Sequence, residues 1–226
     1  MKSVVLRLEG PLQSWATQSK LGVRDTDREP SKSGVLGLVG AALGMDRGDD
    51  VTLARLSELE LAVRVDRAGS LLHDYHTAGG GTFRGKPYTV WGVKDCVPSH
   101  RYYLQGASFV AALGGADHWV ERIAQALEEP RWPLYLGRRS CPPSEPVLVQ
   151  MTKFSPVDAV RSAPLAMTGI GGEVVASRKL KLLTECPPEE GGQPRYDVPI
   201  SFAVDAKRYG VRHVRTDWVG LAAVQA

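Results

Sequence analysis

Cysteine is scarce. The chain has three, Cys96, Cys141 and Cys186, far apart and with no Cys-x-x-Cys pair. An odd, scattered set does not make a disulfide framework or a zinc knuckle, and reduced thiols fit a cytoplasmic protein. Long apolar runs are missing as well. The longest, Gly34 to Met45, is well short of the roughly 20 residues that cross a bilayer, so no membrane association is expected. The first residues run straight into a strand-like pattern at Val4, Val5, Leu6 and Leu8, without the regions of a signal peptide. No large excess of one charge is present either. The formal net charge is +3, so a nucleic-acid partner has to be argued from local clusters of Arg and Lys. The sequence carries no Walker loop, dinucleotide fingerprint, Ser/His/Asp set, paired glycosidase carboxylates or internal repeat.

What is there suits a folded domain. Hydrophobic residues make up 43% of the 226 residues and charged residues 23%, enough for a core that needs no metal or disulfide staple. Ser3 to Leu8 reads as a strand ending at Gly10-Pro11. A polar segment, Leu12 to Ser33, follows with Lys20, Arg24, Arg28 and Lys32 among acids; internal loops of that length are usually functional or disordered. Ser33 to Leu43 reads as a helix with glycines at 34, 37, 40 and 44 near one face. Each glycine costs a helix about 1 kcal/mol against alanine. The stripe therefore predicts close approach of the helix backbone to a neighbour, with packing on the chain's own sheet favoured over contact with a phosphate.

Glu60 to Asp66 alternates apolar and polar residues, as a half-buried strand does. Gly69 to Gln105 mixes Gly79-Gly80-Gly81 with Tyr75, Phe83, Tyr88, Trp91, Tyr102 and Tyr103, and with Arg84, Lys86, Lys94 and Arg101. It reads as a protruding hairpin arm. Ala107 to Leu113 is a strand, and His118 to Glu128 an amphipathic helix with Trp119, Ile123 and Leu127 on one stripe. Leu134 to Leu136 and Pro146 to Met151 are short strand candidates. The expected fold is α+β: a ferredoxin-like βαββαβ domain of RNA-recognition type over residues 1–150, with the arm inserted between its halves. Residues 151–226 are expected as a smaller β-rich part, with strand-like pieces at Lys179 to Leu183, Ser201 to Val204 and Arg212 to Val219. Many unrelated proteins share that layout, so function rests on sites.

Four constellations could carry chemistry. Pro30-Ser31-Lys32-Ser33-Gly34 opens the glycine-striped helix, where free N–H groups, the dipole and Lys32 could hold a phosphate; a plain N-cap with a solvated lysine is the simpler reading. Gly137-Arg138-Arg139-Ser140-Cys141-Pro142 sets two arginines on an ordered turn, suited to phosphate contact or base stacking and equally to a solvated surface. His73-Asp74-Tyr75-His76 could be a metal pair without an evident third ligand, acid/base machinery with His76 as base and Tyr75 or Lys86 as helper, or a hydrogen-bonded root of the arm, the reading with most weight. The arm's aromatics and arginines could stack or wedge between nucleotides. No metal or cofactor is expected.

Taken in order, these segments resemble one family. Leu6-Arg7-Leu8-Glu9-Gly10-Pro11-Leu12-Gln13-Ser14-Trp15, Pro30 to Leu38, Asp74-Tyr75-His76-Thr77, Tyr103-Leu104 with Ala107-Ser108-Phe109, and Pro130-Arg131-Trp132 through Tyr135 to Pro142 are similar to the CasD subunits of type I-E Cascade complexes, over the first 150 residues. The resemblance implies a non-catalytic subunit in antiviral defence that grips the 5′ handle of the mature CRISPR RNA and caps the backbone filament. It also implies a β-hairpin thumb at about 78–101. The implied partners are the CRISPR RNA, the CasC backbone subunit, the large CasA subunit and, through the complex, target DNA. Carried over by position, the implied RNA-binding residues are Trp15, Arg24, Ser31, Lys32, Ser33, Tyr75, His76, Arg84, Arg101, Arg138 and Arg139. The alternative is a metal-free endoribonuclease processing the CRISPR RNA precursor, as in type I-C relatives, with Tyr75, His76 and Lys86 supplying the groups.

Overall fold

The computed structural model describes residues 1–16, 22–87, 89, 96–165 and 179–220. Lys20, Tyr88, Trp91 and Lys94 lie outside them. In chain order the elements are β1 (Lys2–Glu9), β2 (Leu12–Gln13), β3 (Val23–Arg24), α1 (Lys32–Leu43), α2 (Asp50–Ser57), β4 (Glu60–Arg67), β5 (Ser70–Ala78), β6 (Thr82–Phe83), β7 (Lys86–Pro87), β8 (Val97–Gln105), β9 (Ser108–Gly115), α3 (Asp117–Glu128), β10 (Leu148–Thr152), α4 (Pro156–Ser162), β11 (Lys179–Cys186), β12 (Gln193–Ser201) and β13 (Arg208–Gly220). The architecture is α+β. The main sheet has 7 strands in the order β10-β1-β9-β4-β11-β13-β12, and every neighbouring pair is antiparallel.

Alternation along the strands sends side chains to two different cores. Val4, Leu6 and Leu8 of β1, with Leu61 and Val63 of β4 and Phe109 and Leu113 of β9, meet α1, α2 and α3 in the larger cluster. Val5, Ala62, Val110 and Ala112 point the other way and are covered by Ala159 and Val160 of α4. The sheet's centre is therefore buried on both faces. This corrects the half-buried strand expected at Glu60 to Asp66. Its polar members alternate because Arg64 and Asp66 form an ion pair under α4, with the Arg64 side chain fully buried. The Arg64 guanidinium also donates to the carbonyls of Val160 (2.6 Å) and Ala163 (2.7 Å), filling the acceptors that the end of α4 leaves open.

Local patterning placed most elements, and the differences have physical reasons. α2 and α4 were not anticipated; each is two turns long, too short to show a helical period. Leu134 to Leu136 is irregular rather than a strand, its backbone groups being used by Ser14 (Ser14 N–H to the Leu136 carbonyl, 3.0 Å) and Cys141 (Leu136 N–H to the Cys141 carbonyl, 2.7 Å). β11 pairs with β4, and β13 and β12 extend the same sheet.

The glycine stripe of α1 divides. A Cβ on Gly34 would sit 2.7 Å from the Trp15 ring, so this glycine lets the helix lie directly on Trp15. Gly44 ends the helix at φ +69, the left-handed conformation that favours glycine. A Cβ on Gly37 would meet nothing within 4 Å. That position faces open space, not the sheet.

Candidate nucleic-acid interface

β5 and β8 pair along their whole length, Ser70 opposite Gln105 through Ala78 opposite Val97, and make the protruding hairpin. The strand period of two gives its faces different chemistry. One face carries a ladder of rings. His73 stacks on Tyr102 (centroids 4.7 Å) and on His100 (5.1 Å), and Tyr75 lies tilted on His100 (5.3 Å). His73 Nε2 and His100 Nδ1 are 2.9 Å apart, sharing a hydrogen bond. Tyr75 is 58% exposed. The other face carries Asp74 and His76, whose carboxylate and Nε2 form a short hydrogen-bonded contact. His73 and His76 point to opposite faces, so they cannot ligate one metal ion.

The hairpin's root is held by a turn. Leu136 N–H donates to the Cys141 carbonyl (2.7 Å) and Cys141 N–H to the Arg138 carbonyl (2.8 Å). Gly137 sits at φ +87, where a Cβ would fall 1.6 Å from the Ser14 carbonyl oxygen, so the turn requires glycine. From this turn the Arg138 guanidinium donates to the carbonyls of Tyr102 (3.1 Å), Arg24 (2.7 Å) and Asp25 (3.0 Å). It lies over the Tyr103 ring, 4.7 Å from its centroid. Arg138 thus clamps β3 and β8 together. Its neighbour Arg139 is exposed and makes no hydrogen bond or ion pair with another described residue. Arg24 and Arg101 stand side by side in the β3–β8 parallel pairing, and Arg101 Nε is buried without a partner among the described residues. Like charges in register repel. Asp74 of β5, opposite Arg101 on its other side, offsets part of that repulsion, and an anion reaching Arg101 Nε would satisfy the orphaned donor.

The start of α1 is different. Ser31 caps it, its Oγ accepting from Gly34 N–H (3.3 Å). The backbone N–H of Lys32 donates to Asp197 Oδ2 (2.7 Å), so the helix's positive end already faces a carboxylate of the same chain. Lys32 Nζ, its side chain 4% exposed, pairs with Glu185 (3.0 Å). Arg212 closes the network on Glu185 (3.0 Å) and on Asp197 (2.6 Å). This corrects both the phosphate site and the solvated lysine considered for Lys32. Ser31 and Ser33 are buried beside it. Trp15 is fully buried, its Nε1–H donating to Gln13 Oε1 (2.9 Å), and its ring lies under Gly34. It cannot stack on a base. These four residues are buried and build the fold around the start of α1.

Burial alone would raise the Asp197 carboxyl. The hydrogen bonds and charge of Arg212 and the Lys32 N–H outweigh it and hold it below the usual 3.8. Glu29 is likewise held below the usual 4.5, Lys181 and Arg195 outweighing its burial. A depressed carboxylate stabilises the fold above its unfolded pKa, and that contribution is lost as pH falls through the lowered value. Urea unfolding is therefore expected to show stability falling from about pH 4.5 downward, less steeply in Asp197→Asn. An equally steep fall in the variant would contradict this origin.

A family model described as CRISPR-associated protein (Cas_Cas5) matches residues 3–215. The chain belongs to the Cas5 family. It is 35% identical over 189 residues to the Cascade subunit CasD of Escherichia coli (strain K12), with 78% of this chain and 82% of that protein covered. A chain in a solved CRISPR RNA-guided surveillance complex superposes with TM-score 0.80 at 34% identity, over 99% of this chain and 93% of its own. A crystal structure of a Cas protein gives TM-score 0.73 at 34% identity, over 98% and 97%.

Within this Cas5 chain, the expected site residues split. Tyr75, His76 and Arg101 lie on the hairpin, Arg138 and Arg139 on the turn at its root, and Arg24 on β3 beside β8. Arg84 is exposed in the turn between β6 and β7, at φ +51 beside Gly85 at +73. Both positive φ values suit a two-residue hairpin loop. His100, which joins His73, Tyr75 and Tyr102 in the ladder, was not singled out in the sequence. Its signal was the alternation of rings along two paired strands, which needs the register to be read. Among the described residues, no helix is long and apolar enough to cross a membrane.

Proposed function

We propose that this Cas5-family chain is a non-catalytic subunit of a type I-E CRISPR RNA-guided surveillance complex, holding the 5′ handle of the CRISPR RNA and capping the backbone filament. Its fold is of the ferredoxin-like, RNA-recognition type, the order β10-β1-β9-β4 supporting that reading. The observation that carries the proposal is the hairpin itself, with a ladder of rings on one face and, on the other, Arg101 in register with Arg24 of β3. Cations position a phosphate backbone, and exposed rings stack on unpaired bases. The likeness to CasD supports the same partners: the CRISPR RNA, the CasC and CasA subunits and, indirectly, target DNA. The thumb is assigned to about 78–101, and residues 1–150 and 151–226 are assigned as the RNA-binding body and the part that braces it.

The hydrogen-bonded Asp74–His76 pair favours one second reading. A carboxylate that orients a histidine is how a general base is positioned, and Arg101 beside it could stabilise a phosphorane. The two readings separate in one gel with full-length chain, EDTA and labelled precursor RNA. The structural subunit binds the precursor and leaves it uncut. A single cut that disappears in His76→Ala makes the chain the processing nuclease.

A further inference from the structure

His73 and His76 leave opposite faces of β5, but the register gives His73 a different histidine. Tyr102 lies opposite His73, and His100 lies opposite Tyr75. His73 and His100 are therefore diagonal neighbours on one face of the hairpin, within reach of long side chains. Their rings are nearly parallel, 11° apart, and Tyr102 stacks on His73 at 17°. His73 Nε2 and His100 Nδ1 stand 2.9 Å from each other. His73 is exposed and His100 half-buried, so the pair can be reached from solvent.

Chemistry and spacing select an occupant. Imidazole nitrogens suit copper, nickel and zinc, whereas magnesium and calcium take oxygen. Two metal–imidazole bonds of about 2.0–2.1 Å meeting at 90° set their nitrogens about 2.9 Å apart, and a tetrahedral angle needs about 3.3–3.4 Å. The observed spacing matches neighbouring corners of a square-planar or tetragonal site, the geometry of Cu²⁺ and Ni²⁺. No third His, Cys, Asp or Glu completes a ligand set among the described residues. Water fills the remaining positions, unlike in a structural zinc site, which is closed by four protein ligands. As they stand, the two rings share one proton along the line between the nitrogens. A turn of each ring about its soft χ2 aims both lone pairs at a common point. The ring that donated then carries its proton on its far nitrogen, so a neutral pair binds a metal ion without net loss of a proton. We propose that His73 and His100 bind one Cu²⁺ ion through Nε2 and Nδ1, with Ni²⁺ held more weakly, as the order of divalent affinities requires. The ion ties β5 to β8 across the ring ladder. The site is built by this chain alone and does not depend on the RNA-binding reading.

Copper titration of the full-length chain, without an affinity tag, tests it. Wild type, His73→Ala, His100→Ala and His76→Ala are followed by calorimetry and electron paramagnetic resonance at about pH 7.5, where the imidazoles are free to bind. Melting temperatures without metal are recorded for each, and His100→Asn replaces His100→Ala if the alanine lowers that temperature. The expected result is one Cu²⁺ per chain, held by two nitrogens, in wild type and in His76→Ala. Losing an outer partner of a ligand already costs about 10–100-fold in metal affinity, so losing a ligand itself should weaken binding at least about tenfold in the His73 and His100 variants. Hydrogen exchange should slow across β5 and β8 where copper binds. Wild-type affinity in His73→Ala or in the His100 variant puts the ion elsewhere, such as on the α-amino group, and overturns the site. Binding lost in His76→Ala but kept in His73→Ala moves it to Asp74 and His76 and also overturns it. Copper held by a single nitrogen, with exchange across the hairpin unchanged, does the same.

Discussion

Asp197→Ala is expected to lose roughly 3–5 kcal/mol of stability, the range for breaking a buried ion pair by removing one partner. The Asp197 side chain is 1% exposed and receives Arg212 Nε at 2.6 Å and Nη2 at 2.8 Å, together with the Lys32 N–H. Truncation leaves Arg212, itself 9% exposed, with Glu185 alone. It also leaves an N–H at the start of α1 without an acceptor. The variant's urea midpoint measures this directly. A loss under about 1 kcal/mol would mean that the network is wetter than its burial implies, as surface pairs are. The expected effect is large because Asp197, Glu185 and Arg212 lie on the last three strands while Lys32 lies on the first helix. One network joins the ends of the chain.

The second large effect is on RNA. Replacing Arg24, Arg101 and Arg139 together by alanine is expected to leave the melting temperature near wild type, since no described ion pair or hydrogen bond of their side chains is lost. Handle affinity should fall by about a hundredfold at low salt. The slope of log K against log salt should shrink by about 2, since each single-strand phosphate contact contributes about 0.7. Arg138→Ala should behave differently. It removes donors to three carbonyls and the stack on Tyr103, so its loss of affinity should come with a lower melting temperature and little change in slope. An unchanged slope in the triple variant would take the phosphate backbone away from the hairpin root.

The legible parts were those set by neighbours in sequence. β1, α1 and α3 follow from periodicity and caps, and the hairpin follows from two ring-rich runs around a glycine cluster. What sequence alone did not reveal depends on partners far along the chain. Lys32 looked like a solvated cation because its partner Glu185 is 153 residues away. Trp15 looked like a stacking ring, yet its position is fixed by a glycine on a helix that folds over it. Arg138 and Arg139 are adjacent and chemically identical, and only the carbonyls of Arg24, Asp25 and Tyr102 distinguish the clamp from its free neighbour. The joining of β11 to β4 spans the whole fold and leaves no local mark. Several residues that carry the family likeness, Gln13, Trp15 and Gly137 among them, are building parts. They report the family more securely than they report contacts.

The most direct test is a competition. Labelled CRISPR RNA bound to the full-length chain is challenged with two unlabelled RNAs, one complete and one lacking only the 5′ handle. A handle-gripping subunit releases the label to the complete RNA at concentrations at least about tenfold lower, a difference of about 1.4 kcal/mol. Equal competition by the two RNAs would mean that the chain binds RNA without reading the handle, and would contradict the proposed role.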